Sequence, residues 1–178
     1  MKLRWLLIAT LAGLFVSCAT DSSDLAESAK TAPPVVERPE PPSPPMPEAW
    51  SGTWKLDLAK SKYEFSTKPK SSVTKIQPAG EVFAMSQDSV DAQGRMVHTE
   101  LTARLDGTDY PVNGFPNTTY AFTRIDDHTY EVVAKRSGEV ITTTRTVVAA
   151  DGRTSTSTTT ATNPQGQTVT NVAVHERQ

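Results

Sequence analysis

Three histidines are the residues of this chain best suited to metal binding or to acid–base chemistry near neutral pH. They are His98, His128 and His175, and no two lie at the short spacing of a local metal motif. A metal site would therefore need three separate segments to converge, and we predict none. Glu176 follows His175, but neighbouring residues of a strand point to opposite faces and cannot form a catalytic pair.

Nucleophiles and paired carboxylates offer no better route to catalysis. Asp126-Asp127 lies in a turn segment, where solvation explains two adjacent carboxylates better than acid–base work does. The single cysteine is Cys18, and no serine lies in the strained turn that a nucleophile needs. We therefore predict no catalytic residue, no cofactor and no enzymatic activity.

The candidates for binding a small molecule alternate along predicted strands, so that each set shares one face. Arg124 would be costly on an apolar face unless a ligand carboxylate or phosphate pairs with it; alternatively, Asp126 or Asp127 pairs with it at the strand end. The predicted ligand-binding residues are Tyr120, Phe122, Arg124, Tyr130, Val132 and His175.

A single curved sheet would position these side chains. From Trp50 onward, turn signals such as Asp-Gly and Asn-Gly recur every 8 to 14 residues or so, with no sustained helical period. The predicted strands lie at about 50–58, 71–77, 82–88, 95–105, 118–125, 129–136, 139–149, 153–162 and 167–176. A meander of this kind removes its exposed edges by closing. We predict an all-β fold: a closed or nearly closed up-and-down antiparallel barrel of about 8–10 strands, lipocalin-like and without a helical lid.

The first predicted strand contains Trp50, Trp54, Leu56 and Leu58 in alternation. Gly52 would allow another segment to approach closely, and Trp54 would fill the closed end of the barrel. We predict structural roles for both residues.

The later strands carry threonines at alternate positions, at Thr142, Thr144 and Thr146 and again from Thr154 to Thr160. Two interpretations remain open. Either these rows line a partly wet lumen that binds a ligand, or they lie in water outside a poorly packed rim.

Gly52-Thr53-Trp54-Lys55-Leu56 resembles the opening strand of the calycin barrels, which comprise the lipocalins and the fatty-acid-binding proteins. The Asp106–Val112 segment, taken as a turn, resembles one in lipocalin-like proteins of soil bacteria. The resemblance implies a barrel with space for a small apolar or amphipathic molecule. Ala173-Val174-His175 replaces the Arg-x-Tyr clamp of the fatty-acid-binding proteins, and 59–70 is too short for their two-helix lid. Fatty-acid binding is therefore not implied.

The N-terminus combines Lys2 and Arg4 with an apolar run of 12 residues, Trp5 to Val16, too short for a stable membrane-spanning helix. Val16-Ser17-Cys18 resembles the processing site of a bacterial lipoprotein signal, although Phe15 stands where leucine is usual. The resemblance implies a signal peptide at 1–17, acylation of Cys18, and a lipid anchor in the bacterial cell envelope, at the outer membrane.

Eight of the 13 prolines lie between Pro33 and Pro47, so we predict a lipidated, Pro-rich tether at 18–47 and the barrel at 48–178. Without Lys2 and Arg4, 16 basic residues face 20 acidic ones, and the net charge of −4 does not favour nucleic acid. The predicted partners are a membrane and a small hydrophobic or amphipathic ligand. The alternative is a filled barrel that binds an envelope protein.

Overall fold

The computed structural model describes residues 45–178, which form one antiparallel sheet of ten strands. A 3-10 turn at Glu48–Trp50 precedes the first strand. The strands are β1 (Gly52–Lys62), β2 (Ser71–Ala79), β3 (Val82–Val90), β4 (Met96–Ala103), β5 (Asp106–Pro111), β6 (Thr118–Arg124), β7 (Thr129–Arg136), β8 (Glu139–Val148), β9 (Thr154–Thr162) and β10 (Thr168–Arg177).

The strands follow one another around a nearly closed barrel. Their order is β4-β3-β2-β1-β10-β9-β8-β7-β6-β5, so the pairing of β1 with β10 brings the two ends of the meander together. The predicted all-β, up-and-down architecture is confirmed. Within residues 45–178 the 3-10 turn is the only helical element, and no helix there has the length and hydrophobicity to cross a membrane.

The barrel is interrupted between β4 and β5, and one isolated bridge links Glu100 of β4 to Asn113 in the β5–β6 loop. Glu100 N donates to Asn113 O at 3.2 Å, and Asn113 N donates to Glu100 O at 2.9 Å. Gly114 follows with φ +97°, and a Cβ atom there would lie 2.2 Å from the carbonyl oxygen of His98. Glycine is therefore required for the β5–β6 loop to reach β4.

Strand β5 corrects the sequence analysis, which assigned Asp106–Val112 to a turn. A turn-like start is present, because Thr108 N donates to Asp106 Oδ1 at 2.9 Å and the pairing with β6 shifts register after Asp106. Tyr110 then pairs with Tyr120 of β6. Pairing with a segment distant in sequence thus overrides the local turn composition.

The hydrophobic core fills the end of the barrel where β1 begins and β10 ends, which we call the base. Trp54 is 3% exposed, and Phe83 meets Phe122 edge to face at 4.9 Å between ring centroids. Trp50, expected in the first strand, instead lies in the 3-10 turn and is 2% exposed. The buried core comprises Trp50, Trp54, Ile76, Phe83, Leu101, Ala103, Leu105, Val112, Phe122 and Val148.

Candidate functional site

A cavity of about 200 Å³ lies inside the barrel. We call it the lumen, and we call the end of the barrel opposite the base the mouth. The wall of the lumen combines aromatic, aliphatic and hydroxyl side chains. Its lining residues are Trp50, Trp54, Thr74, Ile76, Met85, Gln87, Tyr120, Phe122, Tyr130, Val132, Ala134, Thr142, Thr144, Thr146, Val148, Ser155, Ser157 and His175.

The apolar part of the wall is built from aromatic rings in contact with one another. Trp50 and Tyr130 have ring centroids 4.6 Å apart, and Tyr120 meets Phe122 at 6.3 Å. The indole N–H of Trp50 is buried and has no hydrogen-bond partner among residues 45–178. A buried donor without an acceptor is costly, so this group would gain from an acceptor supplied by a bound molecule.

The position of Trp50 is fixed from the base side. Trp54 Nε1 donates to the carbonyl oxygen of Trp50 at 3.0 Å. The guanidinium of Arg177 lies 4.7 Å from the Trp54 ring centroid and donates from Nη2 to Ala49 O, so the last strand holds the 3-10 turn in place. A Cβ atom added at Gly52 would lie 3.8 Å from side-chain atoms of Arg177, which places the Arg177 side chain directly over this glycine.

The polar part of the wall is a set of hydroxyl groups on β8 and β9. Thr144 and Thr159 share a hydrogen bond of 2.9 Å between their hydroxyl oxygens, and Thr146 and Ser157 share one of 2.8 Å. These pairs are direct neighbours in the β8–β9 register. Because side chains alternate along a strand, Thr142, Thr144 and Thr146 face inward, whereas the row from Thr154 to Thr160 faces outward. One row of threonines therefore lines the lumen and the other faces outward, and ligand binding by the inner row stays a prediction.

The lumen wall carries little charge. Within the described part of the chain, no Asp, Glu, Lys or Arg lines it. Burial lowers the pKa of His175, which favours the neutral imidazole, and burial raises the pKa of Tyr120 and of Tyr130, which keeps both phenols protonated. The site can therefore offer hydrogen bonds and apolar contact at neutral pH, but no ion pair.

The structure brings five of the six predicted ligand-binding residues together. Tyr120, Phe122, Tyr130, Val132 and His175 all line the lumen. Their role as ligand contacts stays a prediction.

Arg124 lies elsewhere. It shares a face with Phe122, but it stands at the end of β6, where its guanidinium forms an ion pair with Asp127. The expectation that Arg124 projects into the lumen is therefore wrong. Its partner is a carboxylate of the adjacent turn, which is the alternative given in the sequence analysis.

Several wall residues are not among the predicted ligand-binding residues. They include Trp50, predicted as part of the first strand, and Met85 and Gln87. Gln87 is held by its own neighbours, since Nε2 donates to Ser72 Oγ at 3.0 Å and to Thr74 Oγ1 at 3.3 Å. Alternation along the predicted strand 82–88 could have placed Met85 and Gln87 on one face, but nothing local indicates that this face is the inner one.

The β1–β2 loop is fastened to the inner face of β10 near the mouth. Asn171, 6% exposed, accepts hydrogen bonds from the backbone N–H groups of Glu64 at 2.7 Å and Phe65 at 3.3 Å, and donates to Ser66 Oγ at 2.6 Å. Asn171 is four residues before His175 on the same strand, so both side chains face the interior. Asn171 thus holds the β1–β2 loop at the mouth end of the barrel.

The other two histidines lie outside the lumen. His98 is exposed on β4, and the hydrogen bond that its Nδ1 donates to Asp88 Oδ1 at 2.6 Å raises its pKa. His128 lies in the β6–β7 turn. Within residues 45–178, no three His, Cys, Asp or Glu side chains are grouped as metal ligands would be. Cys18, the predicted signal peptide at 1–17 and most of the predicted tether lie outside the described residues. Met46, which belongs to the predicted tether, packs against the core.

No protein-family model matches the chain, and no curated protein matches it in sequence. Among solved structures, the chain is similar to the zebrafish ileal bile acid-binding protein complexed with cholic acid. The identity is 16% and the TM-score 0.48, over 73% of this chain and 99% of that chain. The assignment to a lipocalin-like barrel rests on the ten-strand topology itself.

Proposed function

We propose that this protein is a lipid-anchored protein of the bacterial cell envelope whose barrel binds a small hydrophobic or amphipathic molecule without catalysing a reaction. The observation that carries the proposal is the lumen, an interior cavity lined by aromatic rings on one side and hydroxyl groups on the other. Concave sites that are mostly apolar, with a few convergent polar groups, are the usual form of a small-molecule site.

The size of the lumen limits the cargo. Its volume of about 200 Å³ is below the range of about 300–1,000 Å³ that is usual for the pockets of drug-sized ligands. We therefore infer a compact ligand rather than a long acyl chain. In the described part of the chain, His175 and the two lumen tyrosines are the titratable wall residues, a set without a carboxylate, which favours binding over acid–base catalysis.

The alternative, a filled barrel that binds another envelope protein, requires a close-packed interior. The lumen weighs against a filled interior. We therefore place ligand binding first.

Fluorescence of N-phenyl-1-naphthylamine, an uncharged probe that brightens in apolar surroundings, tests ligand binding in the full chain. Val132 lines the lumen, and Val133 is the next residue on the opposite face. Val132→Phe should fill the lumen and abolish saturable binding, whereas Val133→Phe should leave it intact. This matched pair also separates binding in the lumen from binding to the apolar N-terminal segment. Equal binding by both variants would contradict the proposal.

The anchor is tested separately. Cys18→Ser should remove radiolabelled palmitate from the protein expressed in bacteria and release it from the membrane fraction. Labelling that survives the substitution would refute acylation at this residue without bearing on the lumen.

A further inference from the structure

The side chains that line the lumen restrict the charge of a molecule that can bind there. Of its 18 lining residues, all taken from the described range 45–178, none is Asp, Glu, Lys or Arg. The wall does, however, carry at least five hydroxyl groups from β8 and β9 (Thr142, Thr144, Thr146, Ser155 and Ser157). It is therefore polar on one side but without permanent charge.

Building on the proposed function, we propose that the lumen selects uncharged molecules that carry a hydroxyl or carbonyl group and rejects carboxylates and ammonium ions of the same size.

Three cations border this region, and none of them is among the residues that line the lumen. The charge of Arg136 acts on the Tyr120 phenol, but the Arg136 side chain does not line the lumen. Arg177 faces the base, but its guanidinium lies over the Trp54 ring and donates to Ala49 O. Arg124 is paired with Asp127. A ligand carboxylate entering the lumen would lose its water without gaining a cation, and a ligand ammonium would find no carboxylate in the described wall. Both ions would remain buried without a counter-charge, which is strongly unfavourable.

Uncharged polar groups, by contrast, find partners. In each hydroxyl pair, Thr144–Thr159 and Thr146–Ser157, one hydroxyl donates to the other, which leaves a further O–H and free lone pairs for a ligand. The N–H of Trp50 is buried without an acceptor in the described part of the chain. An alcohol or a ketone can use both kinds of group, because its oxygen accepts and a hydroxyl also donates.

Isothermal titration calorimetry of the full chain with one ring system tests the charge selection. The probes are 2-naphthol, naphthalene-2-carboxylate and trimethyl-2-naphthylammonium, which keep the ring and change the charge. At neutral pH we expect 2-naphthol to bind at least about 100-fold more tightly than either ion. Binding of either ion as tight as that of 2-naphthol would overturn the proposal.

A matched pair of variants tests the hydroxyl wall. Thr144 lines the lumen, and Thr143 precedes it on the outer face. In Thr144→Val, the affinity for 2-naphthol relative to unsubstituted naphthalene should fall by about 2- to 10-fold, and in Thr143→Val it should not change. The ratio cancels effects of the substitution on ring packing. An unchanged ratio in Thr144→Val, with the variant shown to be folded by its melting curve, would refute the role of this hydroxyl.

These outcomes separate the two proposals. Saturable binding of N-phenyl-1-naphthylamine together with tight carboxylate binding would overturn the charge selection and leave the binding function standing. Loss of all saturable lumen binding would overturn the binding function itself.

Discussion

Replacing Gly114 by alanine should destabilise the barrel more than the same change at Gly138. Both glycines have positive φ, +97° and +85°, so each substitution incurs the left-handed penalty of about 1–2 kcal/mol. At Gly138 nothing lies within 4 Å of the added Cβ, but at Gly114 it would meet the carbonyl oxygen of His98 at 2.2 Å. The β5–β6 loop would have to withdraw from β4, an overpacking effect of about 1–3 kcal/mol.

The expected losses in the free energy of unfolding are therefore about 2–5 kcal/mol for Gly114→Ala and about 1–2 kcal/mol for Gly138→Ala. Urea denaturation followed by tryptophan fluorescence measures both, provided that the m-value is the same in the two variants. Trp50 and Trp54 are buried at the base and report its unfolding.

The comparison is decisive because the backbone penalty is common to the two variants. If Gly114→Ala is no less stable than Gly138→Ala, the close approach of the loop to β4 is not what requires glycine. Amide exchange at Asn113, whose N–H bonds to Glu100 O, should also rise in Gly114→Ala and stay unchanged in Gly138→Ala.

Three further predictions follow from the site. Burial lowers the pKa of His175, so below a pH of about 6.5 the unfolded chain binds more protons than the folded one. The free energy of unfolding should therefore decrease toward acid pH, and it should decrease less steeply in His175→Gln. Urea titrations at several pH values measure both. Asn171→Ala removes the bonds to the β1–β2 loop and should speed amide exchange at Glu64 and dissociation of N-phenyl-1-naphthylamine; unchanged rates would show that the loop does not control exchange. Arg124→Ala breaks the ion pair with Asp127 and should lower the free energy of unfolding by about 0.5 kcal/mol or less. Probe binding should not change, and a loss of binding would show that Arg124 contributes to the ligand site after all.

The strand pattern was readable from the sequence because alternation and turn residues are local signals. Most predicted strands match the observed ones to within a few residues, as 129–136 does for β7. β5 was missed because Asp106-Gly107 has turn composition and becomes a strand only through its pairing with β6. The interruption between β4 and β5 was equally inaccessible, since the turn signal between these two consecutive strands does not show whether they pair.

The site was predictable in part for the same reason. Alternation placed Tyr120, Phe122, Tyr130 and Val132 on shared faces, and the structure puts all four at the lumen. Alternation could not decide between a ligand and Asp126 or Asp127 as the partner of Arg124, because it says nothing about how far a long side chain at a strand end can reach. Nor could it decide which threonine rows face inward, as both rows have the same composition.

The uncharged wall has a consequence for how cargo is held. At 0.1 M, dissolved salt largely screens the attraction between exposed charges that are more than about 10 Å apart. Among the wall residues described within 45–178 there is no charged side chain whose attraction for a ligand salt could weaken. Occupancy would then follow the free concentration of the cargo whatever the ionic strength outside the cell. For a protein proposed to stand at the cell boundary, where the surrounding salt is not under the cell's control, loading and release would stay the same from dilute to saline surroundings.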